Sequence, residues 1–283
     1  MRHTCFFHAG CPDGFGAAWA VWCSWGNAGR YVPRGHEDSF DPQRYGGHVV
    51  AFVDIAPPLE ALPELAEVAA SIIVLDHHVS ARDRFYADPT LSSALAAGGH
   101  HVHFDINRSG AVLAWTHFHP NEPTPELLLY VEDQDLWSWE LPRSEEVNAA
   151  LTSYPREFEA WENLAARPTQ ELAEEGTHIV RANRIEVKRS LQTAHPIAFG
   201  AKRAEAVNAR SLRAPLGHEL AKRATYGEPW GVVYRVSSDR VDVSIYSIGD
   251  LDVSKIAQRY GGGGHRNASG FSVPLRRWLE QFV

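Results

Sequence analysis

Asp76-His77-His78 closes an apolar run, Ile72-Ile73-Val74-Leu75, so one acid and two imidazoles arrive together where a buried strand would end. In isolation the triplet reads better as a cap followed by two loop histidines. Two further stretches overturn that reading. Val49-Val50-Ala51-Phe52-Val53 runs into Asp54, and Thr4-Cys5-Phe6-Phe7 runs into His8 with Asp13 just beyond. Three strand ends would then deliver carboxylates and imidazoles together, a donor set that suits Mn²⁺, Mg²⁺, Fe or Zn. Cys5, Cys11 and Cys23 have no metal-ligand spacing, so a hard divalent ion is favoured.

The elements that must carry these residues follow a strand–helix–strand rhythm. After His8, the turn-rich Gly10-Cys11-Pro12-Asp13-Gly14-Phe15-Gly16 leads into the helix start Ala17-Ala18-Trp19-Ala20-Val21-Trp22. Asp13 then lies near a positive helix N-terminus, where a plain N-cap is its alternative role. Asp54-Ile55-Ala56-Pro57-Pro58 precedes helical spacing from Leu59 to Ala70, and the strand of Asp76 comes next. This order predicts a parallel sheet with right-handed crossovers, which opens onto ligands at the carboxyl ends of its strands.

Three later stretches carry polar groups. Ser109-Gly110-Ala111 opens an apolar helix whose N–H groups either hold an anion or are capped by Ser109. A helix from Pro125 to Val131 runs into Glu132-Asp133-Gln134-Asp135-Leu136-Trp137, costly to bury unless paired or coordinated, with a surface turn as an even alternative. His101 and His103 alternate with apolar residues, read as an exposed strand face, and are left out of the site.

At 283 residues with 44% hydrophobic composition, the chain is long enough for two domains and shows little sign of disorder. No run approaches the roughly 18 apolar residues that span a bilayer. The apolar run before His8-Ala9-Gly10-Cys11 is also too short for a signal segment, so a cytoplasmic protein without a membrane partner is expected. The net charge of -8 conceals an asymmetry. Residues 1–183 hold 11 Lys and Arg against 26 Asp and Glu, while residues 184–283 hold 16 against 9. An acidic half suits cations and a basic half an anionic substrate, although two merely solvated faces would look the same.

The expected division is a metal-binding domain over 1–155, helices over 156–194 and a second, smaller α/β domain over 195–283. In the last, the alternating runs Trp230–Val236 and Arg240–Tyr246 flank Ser238-Asp239, a hairpin signal. Then comes Tyr260-Gly261-Gly262-Gly263-Gly264-His265-Arg266-Asn267-Ala268-Ser269-Gly270-Phe271. Consecutive glycines let backbone N–H groups approach a phosphate, and His265 and Arg266 add donors or charge.

Taken together, His8 to Gly14, Asp54, Asp76-His77-His78, Asp133 and Gly261 to Phe271 resemble the DHH phosphoesterases with a C-terminal DHHA1 domain. That group includes RecJ-like exonucleases, short-oligoribonucleases and cyclic-dinucleotide phosphodiesterases. The resemblance implies an α/β fold: a DHH domain with a mostly parallel sheet flanked by helices, a smaller α/β DHHA1 domain, and a metal site in the cleft between them. It implies one or two ions, Mn²⁺ first, with Mg²⁺ or another divalent metal as alternatives. Asp54 would bridge, His77 and Asp133 would complete one site, and His8 and Asp13 the other. Asp76 and His78 would be catalytic, proton-handling groups, and Gly262, Gly263, His265 and Arg266 would hold a distal phosphate or ribose.

The implied activity is phosphodiester hydrolysis of short single-stranded oligonucleotides or small (di)nucleotides, by a protein free to oligomerise. The alternatives are a nucleotide-binding regulatory module with a degenerate site, and a phosphomonoesterase or polyphosphate hydrolase. Two departures stand out. Many members place two acids in the first motif where Asp13 is alone, and Ser244-Ile245-Tyr246-Ser247 has Tyr246 where an Arg is frequent.

Overall fold

β-branched and aromatic runs alternate with helix-forming segments through the first half of the chain, and in the computed structural model, which describes residues 1–35 and 38–283, they form an α/β layer structure. The chain divides into two compact units, Met1–Val180 and Arg181–Val283.

The first unit comprises β1 (Arg2–His8), α1 (Pro12–Trp25), β2 (Gly29–Arg34), β3 (His48–Val53), α2 (Leu62–Val68), β4 (Ser71–Asp76), α3 (Val79–Tyr86), α4 (Pro89–Ala97) and β5 (His101–Phe104). Next come α5 (Gly110–Phe118), α6 (Glu126–Asp135), α7 (Ser144–Ser153) and α8 (Phe158–Ala165), and α9 (Thr169–Ser190) starts in this unit and runs on into the second. All strand pairs are parallel, in the order β2-β1-β3-β4-β5. Successive side chains of a strand face opposite ways. Phe7, Ala51, Val53 and Leu75 therefore join one core with α1, α5, α6, α7 and α8, while Phe6, Val50, Phe52, Ile72 and Val74 join another with Leu62, Leu65, Phe85 and Leu95. A sheet covered on both faces needs these near-continuous apolar runs. The helical spacing over Leu59 to Ala70 resolves into a 3₁₀ turn at Leu59–Ala61 and then α2.

The second unit contains β6 (His195–Phe199), β7 (Lys202–Asn208), α10 (Arg213–Arg223), β8 (Trp230–Ser237), β9 (Arg240–Ser247), α11 (Ser254–Gln258), β10 (Gly263–Gly264), β11 (Ala268–Pro274) and α12 (Leu275–Gln281). Its sheet runs β10-β11-β9-β8-β7-β6 and is antiparallel except where α10 connects β7 to the parallel β8. Ser238 and Asp239 join β8 to β9, with Ser238 at φ 53°. Helix α9 contributes Leu172 and Ala173 to the first unit's core and Val187 to the second's. Among the described residues, no helix is long and apolar enough to cross a membrane.

Candidate metal centre

Strand register sets the site. Phe7 pairs with Val53 and Val53 with Leu75, so β1, β3 and β4 end level, and the next residues in each chain segment are His8, Asp54 and Asp76. This is the edge where parallel α/β sheets bind ligands. Asp54 leaves β3 at φ 56°, a left-handed conformation that Asp tolerates better than most residues. Gly110 lies against it: a Cβ at Gly110 would fall 2.4 Å from the Asp54 Cβ. Only glycine leaves room there.

His77 is the hub. Its Nε2 lies 3.0 Å from Asp54 Oδ1, 3.5 Å from Asp135 Oδ2 and 3.6 Å from Asp13 Oδ2. On the other side of Asp54, His8 Nδ1 is 3.5 Å from Oδ2, and the Cys11 thiol donates to the same oxygen at 3.4 Å. Asp13, Asp54, Asp76 and His77 are each almost wholly buried. Within the first unit, two sets of donor atoms are each gathered within 4.8 Å: Asp13, His77 and Asp135, and His8, Asp54 and His78.

Backbone groups hold the carboxylates. Gly110 N–H and Ala111 N–H donate to Asp13 Oδ2 and Oδ1 at 2.7 and 2.9 Å, Ser109 N–H donates to Glu132, and Val112 N–H donates to the Ser109 hydroxyl. The anion at the α5 N-terminus is thus Asp13 itself. The N–H donors of that first turn are all satisfied, by two carboxylates and a cap. Asp76 accepts from the N–H groups of His77 and His78, and its Oδ1 also lies 2.7 Å from His78 Nδ1.

The ionisation pattern records crowded negative charge. Burial and the neighbouring Asp54 and Asp135 carboxylates push Asp13 well above its usual range. Desolvation of its carboxylate among the cluster also raises Asp135, against the pull of His77, although the residue keeps an exposed side. Burial opposes the charge on Asp54 too, but His77 and His8 outweigh it and hold Asp54 well below the usual range. His77, which burial alone would lower, is driven up to about 10 by Asp54, Asp135 and Asp13. One imidazolium carries a single positive charge against three carboxylates. A hard dication fits this donor set and balances the charge.

Asp133 and Asp135 part company. Helix α6 runs on to Asp135, so neither acid lies in a surface turn. Residues two apart on a helix do not share a face. Asp135 follows Leu128 and Val131 toward His77, whereas Asp133 follows Tyr130. The Asp133 carboxylate accepts from Glu140 N–H at 2.8 Å and Leu141 N–H at 3.4 Å, and the Tyr130 hydroxyl donates to Pro142 O. The expected ligand Asp133 is spent on folding the segment after α6, and Asp135 stands in the cluster. The i, i+3, i+7 pattern of Leu128, Val131 and Asp135 was the sequence signal for this choice. The expected groups His8, Asp13, Asp54 and His77 do come together, but Asp13 lies beside His77 and not in a set with His8 as expected, and Asp76 and His78 are hydrogen-bonded beside them.

In the second unit the glycine run is shaped first by close packing. A Cβ on Gly262 would lie 2.0 Å from Gly270 O, and one on Gly264, at φ 133°, 2.7 Å from Ala268 O. Gly262 N–H donates to Ala257 O and His265 N–H to Ala268 O, so those two donors are committed within the fold. Gly263 pairs with Gly270 across β10 and β11. Arg266 is half exposed and donates to the Asp250 carbonyl and carboxylate at 2.8 and 3.0 Å. Tyr246, in the position of the expected family arginine, packs against Gly217 of α10.

Against known proteins, residues 199–283 match the family model of the DHHA1 domain, so that domain is present. An uncharacterized protein, R106, of Acanthamoeba polyphaga mimivirus is 25% identical over 289 residues, covering 94% of this chain and 66% of that protein. The chain thus spans just under two thirds of that relative's length. Among solved structures, it is similar to the pGpG-specific phosphodiesterase PggH from Vibrio cholerae, at 12% identity and TM-score 0.48, over 99% of this chain and 96% of that one. It is likewise similar to an exopolyphosphatase-related protein from Bacteroides fragilis, at 12% identity and TM-score 0.49, over 95% and 86%. Likeness at this level assigns no reaction.

Proposed function

We propose that the protein is a divalent-metal-dependent phosphodiesterase, with Mn²⁺ as the preferred ion, that hydrolyses short single-stranded oligonucleotides or small (di)nucleotides. The observation that carries the reading is the convergence of Asp13, Asp54 and Asp135 within 3.6 Å of one buried imidazole nitrogen. Asp54, shared between His77 and His8, would be the carboxylate common to both ligand sets. Asp13 and Asp135 would complete the set around His77, and His8 would lie on the other Asp54 oxygen.

Bound there, divalent ions supply neutralisation of phosphate charge and a water acidic enough to attack at neutral pH. The chain's own residues do the rest. Asp13, clamped by two N–H groups, keeps its geometry without ligand, which is the preorganisation that such chemistry needs. His78, whose Nδ1 is engaged by Asp76, has its pKa raised: burial opposes the charged form, but the Asp76 carboxylate outweighs it. Among the chain's own residues His78 is the group to pass a proton to the leaving oxygen. His265 and Arg266 of the DHHA1 domain are the groups to hold a distal phosphate or ribose by charge-assisted hydrogen bonds.

The test is turnover by the purified full chain, with Mn²⁺ or Mg²⁺, of linear dinucleotides, short RNA and DNA, cyclic dinucleotides, a phosphomonoester and polyphosphate. Release of mononucleotides from the shortest substrates, abolished by EDTA, is expected. Nucleotide binding without cleavage in either metal would make the chain a regulatory module, and cleavage confined to polyphosphate or monoesters would replace the substrate class.

A further inference from the structure

Of the nine tryptophans, Trp137 and Trp139 are the two that belong to none of the hydrophobic cores of the described residues. Among the described residues they are also the two aromatic ones at non-glycine positions with positive φ, at 59° and 54°. A bulky side chain is seldom found in that conformation, which persists where surrounding structure imposes it and clusters at ligand sites.

Asp133 imposes it. Its carbonyl accepts from Ser138 N–H and Trp139 N–H, and its carboxylate from Glu140 N–H and Leu141 N–H, so one residue turns the chain through both tryptophans. The two rings stand edge to face, with centroids 5.0 Å apart and planes at 79°. Both are half-buried. Trp137 is two residues beyond Asp135, whose carboxylate reaches His77, so its Cα lies within about 7 Å of that of Asp135.

We propose that Trp137 and Trp139 form a stacking platform for a nucleobase of the substrate, which makes the site selective for phosphodiesters that carry bases over base-free phosphate chains. The proposal rests on the phosphodiesterase reading above and adds its specificity element. Every base presents a π-face, so stacking on indole tolerates any sequence while rejecting a phosphate chain that lacks bases. The strained turn gives this platform a fixed position relative to Asp135, and phosphate at the metal centre and base on the indoles would be held together.

The experiment compares kcat/KM for a dinucleotide with that for its abasic analogue, in Mn²⁺, using the full chain and its Trp137→Leu and Trp139→Leu variants. Leucine keeps apolar bulk and removes the π-face. The wild type should favour the base-bearing substrate by about 10-fold or more, and the leucine variants should lose most of that ratio. Trp137→Phe and Trp139→Phe should retain most of it. A wild type with no base preference, or leucine variants that keep the full ratio, overturns the platform. If the wild type cleaves neither compound, the activity is wrong but the platform is still decided by calorimetric titration. Tighter binding of the base-bearing compound that the leucine variants lose supports it, and equal binding of the two compounds by the wild type overturns it.

Discussion

The Asp/His cluster of the first unit and the glycine run of the second both read in sequence as ligand sites, yet they are built in opposite ways. In the cluster Asp13, Asp54, Asp76 and His77 are buried, level with three strand ends or clamped by backbone donors. In the glycine run the backbone is what is closely packed, and the polar side chain of Arg266 lies half exposed on a carboxylate and carbonyl of Asp250. Chemistry on developing charge needs donors fixed before the substrate arrives, whereas holding a remote phosphate needs only a charge within reach. Damage to the first should therefore appear in kcat, and damage to the second in KM.

The largest expected effect is at Asp54. Asp54→Ala removes the carboxylate common to His8 and His77, and Mn²⁺-dependent kcat should fall by about 10³-fold or more, since metal stabilisation is worth several kcal/mol. Near-normal turnover in that variant would break the contrast.

The two acids of α6 sharpen it. Asp135→Asn should weaken Mn²⁺ binding in calorimetric titrations by about 100-fold with little loss of thermal stability. Asp133→Asn should do the reverse: metal affinity within a few-fold, but about 1–3 kcal/mol of stability lost from its bonds to Glu140 and Leu141. Equal metal defects in both would show that the α6 phase misleads.

A smaller effect is expected from Arg266→Ala. Removing one charge-assisted hydrogen bond from ground and transition states alike should raise KM about 10-fold and leave kcat within about two-fold. A fall in kcat with KM unchanged would place Arg266 among the reacting groups.

The smallest concerns the far end of α5, away from Gly110. Burial, then His101 and His103, lower His117 to about 4. The unfolded chain, with a histidine near 6.5, binds that proton more readily, so this contribution to stability is complete above about pH 6.5 and is lost as pH falls toward 4. Between pH 7 and 5 the wild type should lose on the order of 1 kcal/mol more than His117→Gln in urea melts, a figure reduced for solvent screening. Parallel pH profiles for the two proteins would refute it.

The order of elements, the parallel sheet and the gathering of His8, Asp13, Asp54 and His77 were legible because each rests on local pattern. Apolar runs make strands, turn residues end them, and parallel strands share one carboxyl edge. The placement differs from expectation where two neighbouring residues compete for one position. Asp133 and Asp135 have the same chemistry and nearly the same flanks, so only the rotational phase of α6, set by packing of Leu128 and Val131, decided which one faces His77.

Two other outcomes were tertiary for the same kind of reason. That the α5 N-terminus binds Asp13, 97 residues earlier in the chain, depends on how two helices meet, and no local signal encodes that meeting. That Gly110 must be glycine depends on the backbone of Asp54 lying against it. Sequence by itself determined which residue types could do chemistry and which elements end near one another. The sheet register and the faces of α5 and α6 decided which atoms meet, because burial forces each carboxylate onto whatever donor the packing brings within hydrogen-bond range.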